Sequence, residues 1–343
     1  MEVQVVIAYR SGSGNGRDCL GTAQQQPPDE GIEKPEPDSS AIRGKRWQNH
    51  RFFHFTMTGI ALVFITISVG GLYLTNTTVD FAQIPPRAIL LSVLLAGAAF
   101  YRWRRLPRAV NLIMMTFWAM MFGILHLIPM FIAARMKVDL CDATLATFDA
   151  AMGAEVPGVL KTIQEYPTLN HFLRGCYDTL LFLVTLAIMI PAFAGKMQAA
   201  KEYAIGSLVS AMLSLPLFAV FQAVGPWVYY NYIPELNQDD YMRTFFALKS
   251  QETYVLDLAY RDGLICFPSF HTILAVLAGV ALWSIPYLRW AAAALAALIV
   301  VSTVTTGTHY VVDVVAGLGV AFVAFGVAKG YTWLELKVSR PAA

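Results

Sequence analysis

Residues 309–328 read HYVVDVVAGLGVAFVAFGVA, twenty positions in which Asp313 is the only charged residue and His309 the only histidine. About 20 mostly apolar residues are what a helix needs to cross the hydrocarbon of a bilayer. Seven further stretches fit the same template, at roughly 53–74, 87–103, 110–134, 177–195, 203–224, 269–285 and 288–306. Composition agrees with that reading. Hydrophobic residues make up 57% of the 343 positions and charged ones 14%, whereas soluble domains carry about 25% charge. Mean hydropathy is +0.53. So few charges cannot cover a soluble enzyme of this size, and a net charge of +2 supplies no basic stripe for nucleic acid. The expected fold is an all-α polytopic membrane helical bundle of about eight transmembrane helices.

An even number of spans puts both termini on one side. Short loops rich in Lys and Arg stay in the cytoplasm, and Arg102, Arg104, Arg105 and Arg108 crowd one such loop. Both termini are therefore expected to be cytoplasmic, and the segments 135–176 and 225–268 to face the periplasm, exterior or lumen. These outer segments mix Pro, Asn, Asp and aromatic residues, which suits short interfacial helices. Four cysteines do not make a disulfide scaffold, and the sequence leaves open whether Cys141, Cys176 and Cys266, all on the outer side, pair.

Residues 1–45 hold Gly12, Gly14 and Gly16, the run Gln24–Gln26 and four prolines between Pro27 and Pro37. Such a composition buries too little apolar surface to offset chain entropy, so a disordered cytoplasmic tail is expected. The glycines lack the Lys-Ser/Thr of a phosphate-cradling loop, and the apolar stretch before Arg10 is too short for a secretory signal. The remaining divisions are 46–199, N-terminal transmembrane helices with an outer loop; 200–328, a core carrying the motifs; and 329–343, a second cytoplasmic tail.

Ionisable residues inside spans are costly and point to function. Phe267-Pro268-Ser269-Phe270-His271 opens the sixth span and Thr306-Gly307-Thr308-His309-Tyr310-Val311-Val312-Asp313 the eighth. His309 and Asp313 are at i and i+4, on one helical face. A helical hairpin separates the two motifs, so both lie at the outer membrane face and His271, His309 and Asp313 can meet there. Helix N-termini converging at that point suit an anion such as phosphate. Blander readings exist for each residue alone: Ser269 after Pro268 makes a good N-cap, and His126 reads as a hydrogen-bonded helix contact.

Pro268-Ser269-Phe270-His271 resembles the Pro-Ser-Gly-His signature of the type 2 phosphatidic acid phosphatase superfamily, with Phe for Gly. Ser302, His309 and Asp313 match the spacing of its Ser-Arg-x5-His-x3-Asp signature, with Thr303 for Arg. Its Lys-x6-Arg-Pro signature is not visible. These departures, and the form His309-Tyr310-Val311-Val312-Asp313, are similar to the branch of inositol phosphorylceramide and sphingomyelin synthases. Gly225-Pro226-Trp227 sits where that branch has a Gly/Pro motif. The resemblance spans residues 200–328 and implies phosphoryl transfer through a phosphohistidine, with no metal and no cofactor. It implies His309 as nucleophile, Asp313 fixing the tautomer and supporting the charged ring, and His271 as general acid. Ser269, Gly225, Pro226 and Trp227 would contact substrate, and Arg261 would replace the missing phosphate-binding arginines, with Lys249 and Arg243 as weaker substitutes.

The expected activity is a lipid phosphotransferase that moves a phosphoryl or phospho-headgroup at the outer membrane face. Its partners are a lipid substrate and the membrane, not nucleic acid; the sequence sets no oligomeric state. One alternative is a lipid phosphate phosphatase using water as acceptor. Another is a proton-coupled transporter in which His309 and Asp313 relay protons, although that chemistry wants polar residues deep in several spans.

Overall fold

The computed structural model describes residues 39–80, 82, 84–232, 239–258, 260 and 263–338, without the side chains of 39–50, 239 and 240. The tail read as disordered thus lies outside the described residues up to position 38; from Ser39 the chain is helical. The described residues from Gly44 onward form one compact unit. Its helices are α1 (Ser39–Leu74), α2 (Ile84–Trp103), α3 (Pro107–Ala134), α4 (Asp142–Ala151), α5 (Val156–Gln164), α6 (Pro167–Asp178) and α7 (Leu180–Phe193). There follow α8 (Met197–Val220), α9 (Pro226–Tyr229), α10 (Asp239–Ser250), α11 (Phe270–Trp283), α12 (Arg289–Thr305) and α13 (Val311–Val338). The all-α expectation needs one amendment. Strands β1 (Thr77–Val79) and β2 (Tyr254–Leu256) pair in parallel, in register Thr77 to Tyr254.

Among the described residues, five helical stretches are long and apolar enough to cross a membrane: Arg51–Leu74, α2, α3, α8 and α13. Helices α6 and α7 would make a sixth span, bent by 42° at Thr179. The hydrophobic runs at 177–195, 269–285 and 288–306 become α7, α11 and α12, of 14, 14 and 17 residues. At a rise of about 1.5 Å per residue these reach about 21–26 Å, less than the roughly 30 Å hydrocarbon layer. Hydropathy runs on through cap and loop residues such as Ser269 and Ser284, which is why sequence reads longer spans than the helices provide.

Packing follows the apolar pattern. The central core joins Phe53, Trp118, Leu183, Tyr203, Leu208, Ile273, Leu277, Ile299 and Ala321, drawn from α1, α3, α7, α8, α11, α12 and α13. Leu62, Val69, Ile89 and Val93 stay more than half exposed on α1 and α2, as lipid-facing positions would. At one end of the bundle a second core gathers Phe131, Phe218, Phe245, Leu248, Leu256 and Leu264. Arg135 braces this end by donating to the carbonyls of Thr75, Leu248, Gln251 and Glu252. Toward the opposite end, the buried Lys201 Nζ and Glu335 Oε1 pair at 2.6 Å between α8 and α13.

Candidate active site

Two helix starts meet at the braced end. Ser269 is the N-cap of α11: its Oγ accepts from the Thr272 N–H at 3.3 Å and from the Thr272 hydroxyl at 3.0 Å. Its own N–H donates to the Asp313 carbonyl at 3.0 Å, which ties α11 to the first turn of α13. The approach is close enough that a Cβ on Gly317 would stand 2.8 Å from the Ser269 carbonyl oxygen. Ser269 is fully buried and engaged inside the protein, the geometry of a cap. Phe270, which stands where the family signature has Gly, stacks on His126 with ring centroids 4.9 Å apart. The His126 Nε2 has no hydrogen-bond partner among the described residues, so stacking rather than hydrogen bonding through Nε2 defines that contact.

His271, in the first turn of α11, stacks on Tyr177 of α6 at 4.4 Å and lies 5.8 Å from the His309 ring. His309 is 3% exposed, and its backbone N–H donates to the Thr303 carbonyl at 3.1 Å. Its Nδ1 lies 2.8 Å from the Cys266 carbonyl oxygen and 3.5 Å from Asp313 Oδ2. A carbonyl can only accept, so Nδ1 carries the proton and Nε2 the lone pair. Backbone therefore holds the tautomer, where the family resemblance had implied Asp313. Asp313 Oδ2 accepts instead from the Tyr310 N–H at 2.8 Å and the Cys266 thiol at 3.4 Å, while Oδ1 has no partner among the described residues. Burial, then the nearby Asp313 and Asp142 carboxylates, push the Cys266 thiol well up, so it stays an S–H donor. One ligand atom each from Cys266, His309 and Asp313 lies within 4.8 Å of the other two, a spacing that could hold an ion, although His309 Nδ1 already faces the Cys266 carbonyl.

Two aspartates that no motif singled out surround this loop. Asp149 of α4 accepts from the Val311 N–H at 2.9 Å and the Val312 N–H at 2.8 Å, through different oxygens. It fills the N-terminus of α13, so those N–H groups are not open to phosphate as the converging-helix reading expected. Asp142 Oδ1 accepts from the Gly225 N–H at 2.9 Å and the Tyr310 hydroxyl at 3.0 Å, and both its oxygens lie within 3.2 Å of the Val224 N–H. Burial holds both carboxyls above the ordinary carboxylate range, a rise that the N–H groups they accept from offset only in part. A spacing of seven places both aspartates on one face of α4, two turns apart, which is the signal a sequence reading could have used.

Gly225 and Trp227 pack against the loop, with Pro226 between them in sequence. Gly225 has φ +95°, and a Cβ there would meet the Thr308 carbonyl oxygen at 2.9 Å. Trp227 donates its N–H to the Gly307 carbonyl at 3.0 Å. Gly225 and Pro226 are buried, so these residues brace the His309 loop. Thr303, at the signature's arginine position, is buried inside α12 and donates to the Val300 carbonyl.

Of the cations expected near phosphate, Arg261 lies outside the described residues. Lys249 is occupied by the Val138 carbonyl and the Gln222 side chain, and Arg243 is exposed on α10. Cys141, Cys176 and Cys266 are free thiols. A cavity of about 1010 Å³ opens between α8, α11, α12 and α13, lined by Val276, Trp283, Val300, Leu318 and Lys329, nearer the opposite ends of α11 and α13 from His271 and Asp313.

A family model described as PAP2 superfamily matches residues 143–327. The matched stretch starts within α4, well before residue 200, and so takes in Asp149 as well as both histidine motifs. No curated protein and no solved structure matches the chain.

Proposed function

The chain belongs to the PAP2 superfamily, and from that premise we propose that it is a membrane lipid phosphotransferase working through a phosphohistidine on His309. Membership supports a phosphatase-like enzyme, and the long apolar helices an integral membrane protein. The observation that carries the finer reading is the His309 ring, whose Nδ1 proton faces the Cys266 carbonyl at 2.8 Å and whose other nitrogen holds the lone pair.

In this reading Nε2 attacks phosphorus, a P–N bond forms, and the P–O bond to the lipid alcohol breaks. His271, whose ring lies 5.8 Å away, gives its proton to the departing oxygen. Asp313, 3.5 Å from Nδ1, offsets the positive charge that the ring then carries. An acceptor alcohol next attacks phosphorus, returns a proton to His271 and releases His309. The α13 N-terminus is filled by Asp149, so phosphate is received on the His271 side, with Arg261 of the outer segment as its cation.

The burial of His309 and Asp313 favours an alcohol over bulk water as acceptor. Thr303 and Phe270 follow the inositol phosphorylceramide and sphingomyelin synthase pattern, which suggests a phospho-headgroup as the group moved. An eight-crossing chain with cytoplasmic termini would put this site at the outer face, in keeping with the Arg102–Arg108 loop. Purified protein incubated with labelled phospholipid, with and without inositol or ceramide, tests this reading. Label appearing in a new phospho-lipid or phosphodiester only when acceptor is present supports transfer, and label released to water regardless of acceptor, as free phospho-headgroup or as inorganic phosphate from a lipid phosphomonoester, means a hydrolase.

A further inference from the structure

The outer-segment helix α4 reaches the reacting loop with two side chains, and the loop's own residues do not explain how it is held. From Thr306 to Tyr310 the chain is irregular, between the end of α12 and the start of α13. A misplacement of about 1 Å at a nucleophile can cost on the order of 10²-fold in rate, so the loop must be fixed from outside. Internally the Thr303 carbonyl accepts from the His309 N–H and from the Thr308 hydroxyl at 2.9 Å, Thr306 and Gly307 bond back to α12, and Asp313 accepts from the Tyr310 N–H, but none of these takes the Val311 and Val312 N–H groups.

We infer that Asp149 is a positioning residue for His309 and Asp313, acting as the N-cap of α13 from another helix, with Asp142 fixing the loop's far side. A helix start normally takes its cap from the residue just before it. In α13 the nearest side chains are otherwise engaged: the Tyr310 hydroxyl goes to Asp142, and His309 Nδ1 goes to the Cys266 carbonyl. Asp149 takes the two N–H groups immediately before Asp313, one on each oxygen. It thereby sets where the first turn of α13 begins, and with it the separation of Asp313 from His309. Asp142, on the same face of α4, joins Tyr310 to the Val224–Gly225 backbone. Both aspartates are at least 96% buried, at 1% and 4% exposure, so neither is a solvated surface carboxylate. Neither touches the reacting atoms, and both act through the loop.

This inference rests on His309 being the reacting residue, and its test separates the two. Asp149→Asn and Asp149→Ser are measured in the full-length purified protein with active sites counted by the labelled burst, and His309→Ala beside them with turnover counted per folded protein. Asn keeps the shape but offers one acceptor oxygen, so kcat per active site should fall about tenfold or more with KM unchanged. The loss should be equal for a lipid alcohol and a p-nitrophenol leaving group, because the nucleophile and not the leaving group is misplaced. Val311→Pro removes one of the accepted N–H groups at a position where proline suits a helix start. In that background Asp149→Asn should cost less than it does alone, the non-additivity expected of partners. Unchanged kcat per active site in the Asp149 variants overturns the inference, as does a loss confined to the amount of folded protein, complete failure to fold included. Additive effects with Val311→Pro overturn it too. If His309→Ala still turns over, the proposed function falls and the inference with it; if His309→Ala is dead and Asp149→Asn is fully active, only the inference falls.

Discussion

His309 and Cys266 are joined by a hydrogen bond from the ring Nδ1 to the backbone carbonyl oxygen, 2.8 Å long, while Asp313 Oδ2 stands 3.5 Å from the same nitrogen. The backbone carbonyl is thus the nearer partner of that nitrogen, ahead of the side chain with the i+4 spacing. A carbonyl oxygen is present whatever residue occupies position 266, so this contact survives substitution of the side chains around it.

Asp313→Asn should therefore lose charge support without losing the tautomer. In the Ser-His-Asp template the same change costs about 10⁴ in kcat because Asn imposes the wrong tautomer. Here kcat should fall well short of about 10⁴-fold. Steady-state kinetics on purified Asp313→Asn check this, and a full loss of that size would mean that Asp313 holds the ring after all.

His271→Ala should depend on the leaving group. A general acid contributes about 10²–10⁴-fold, and matters least when the departing group needs no proton. Replacing the lipid alcohol by p-nitrophenol should restore most of the lost rate in His271→Ala and little in Asp313→Asn. Equal recovery in both variants would exchange or abolish those roles.

Ser269→Ala separates a cap from a substrate contact. Loss of a Ser N-cap typically costs about 1 kcal/mol. The thermal midpoint in detergent should drop while KM stays unchanged. A raised KM with an unaltered midpoint would return Ser269 to the substrate site.

Arg261→Ala should raise KM for the phosphorylated lipid more than it lowers kcat. A hydrogen bond to a charged group is worth about 1.5–3 kcal/mol, which corresponds to about 10–10²-fold in binding. Measured KM values for wild type and variant decide the matter, and unchanged KM removes Arg261 from the phosphate site.

The apolar runs were legible because bilayer-facing and core helices share one composition, and several did become long helices such as α3 and α13. Their true lengths were not, since Ser269 starts α11 and Ser284 and Thr306 close α11 and α12 by backbone and side-chain hydrogen bonds inside stretches that still read as hydrophobic. The meeting of His271 with His309 is legible from two motifs separated by one hairpin, and their ring centroids lie 5.8 Å apart, the planes tilted by 59°. Cys266 was invisible as the ring's partner because a backbone carbonyl carries no sequence signal. Asp142 and Asp149 sit in a segment without a motif, and their role depends on a contact across more than 160 positions of chain. Thr303 and Phe270 depart from the signature in the sequence itself, but only the burial of Thr303 and the stacking of Phe270 on His126 show what occupies those places.

The most direct measurement is identification of the phosphorylated residue during turnover. Rapid quench of the full-length protein with labelled lipid, followed by peptide mass spectrometry under alkaline conditions that preserve phosphohistidine, should place one phosphoryl group or phospho-headgroup on His309. The label should disappear when an acceptor alcohol is added and be absent from His309→Ala. Label on another residue, or full turnover by His309→Ala, would contradict a phosphohistidine at this site.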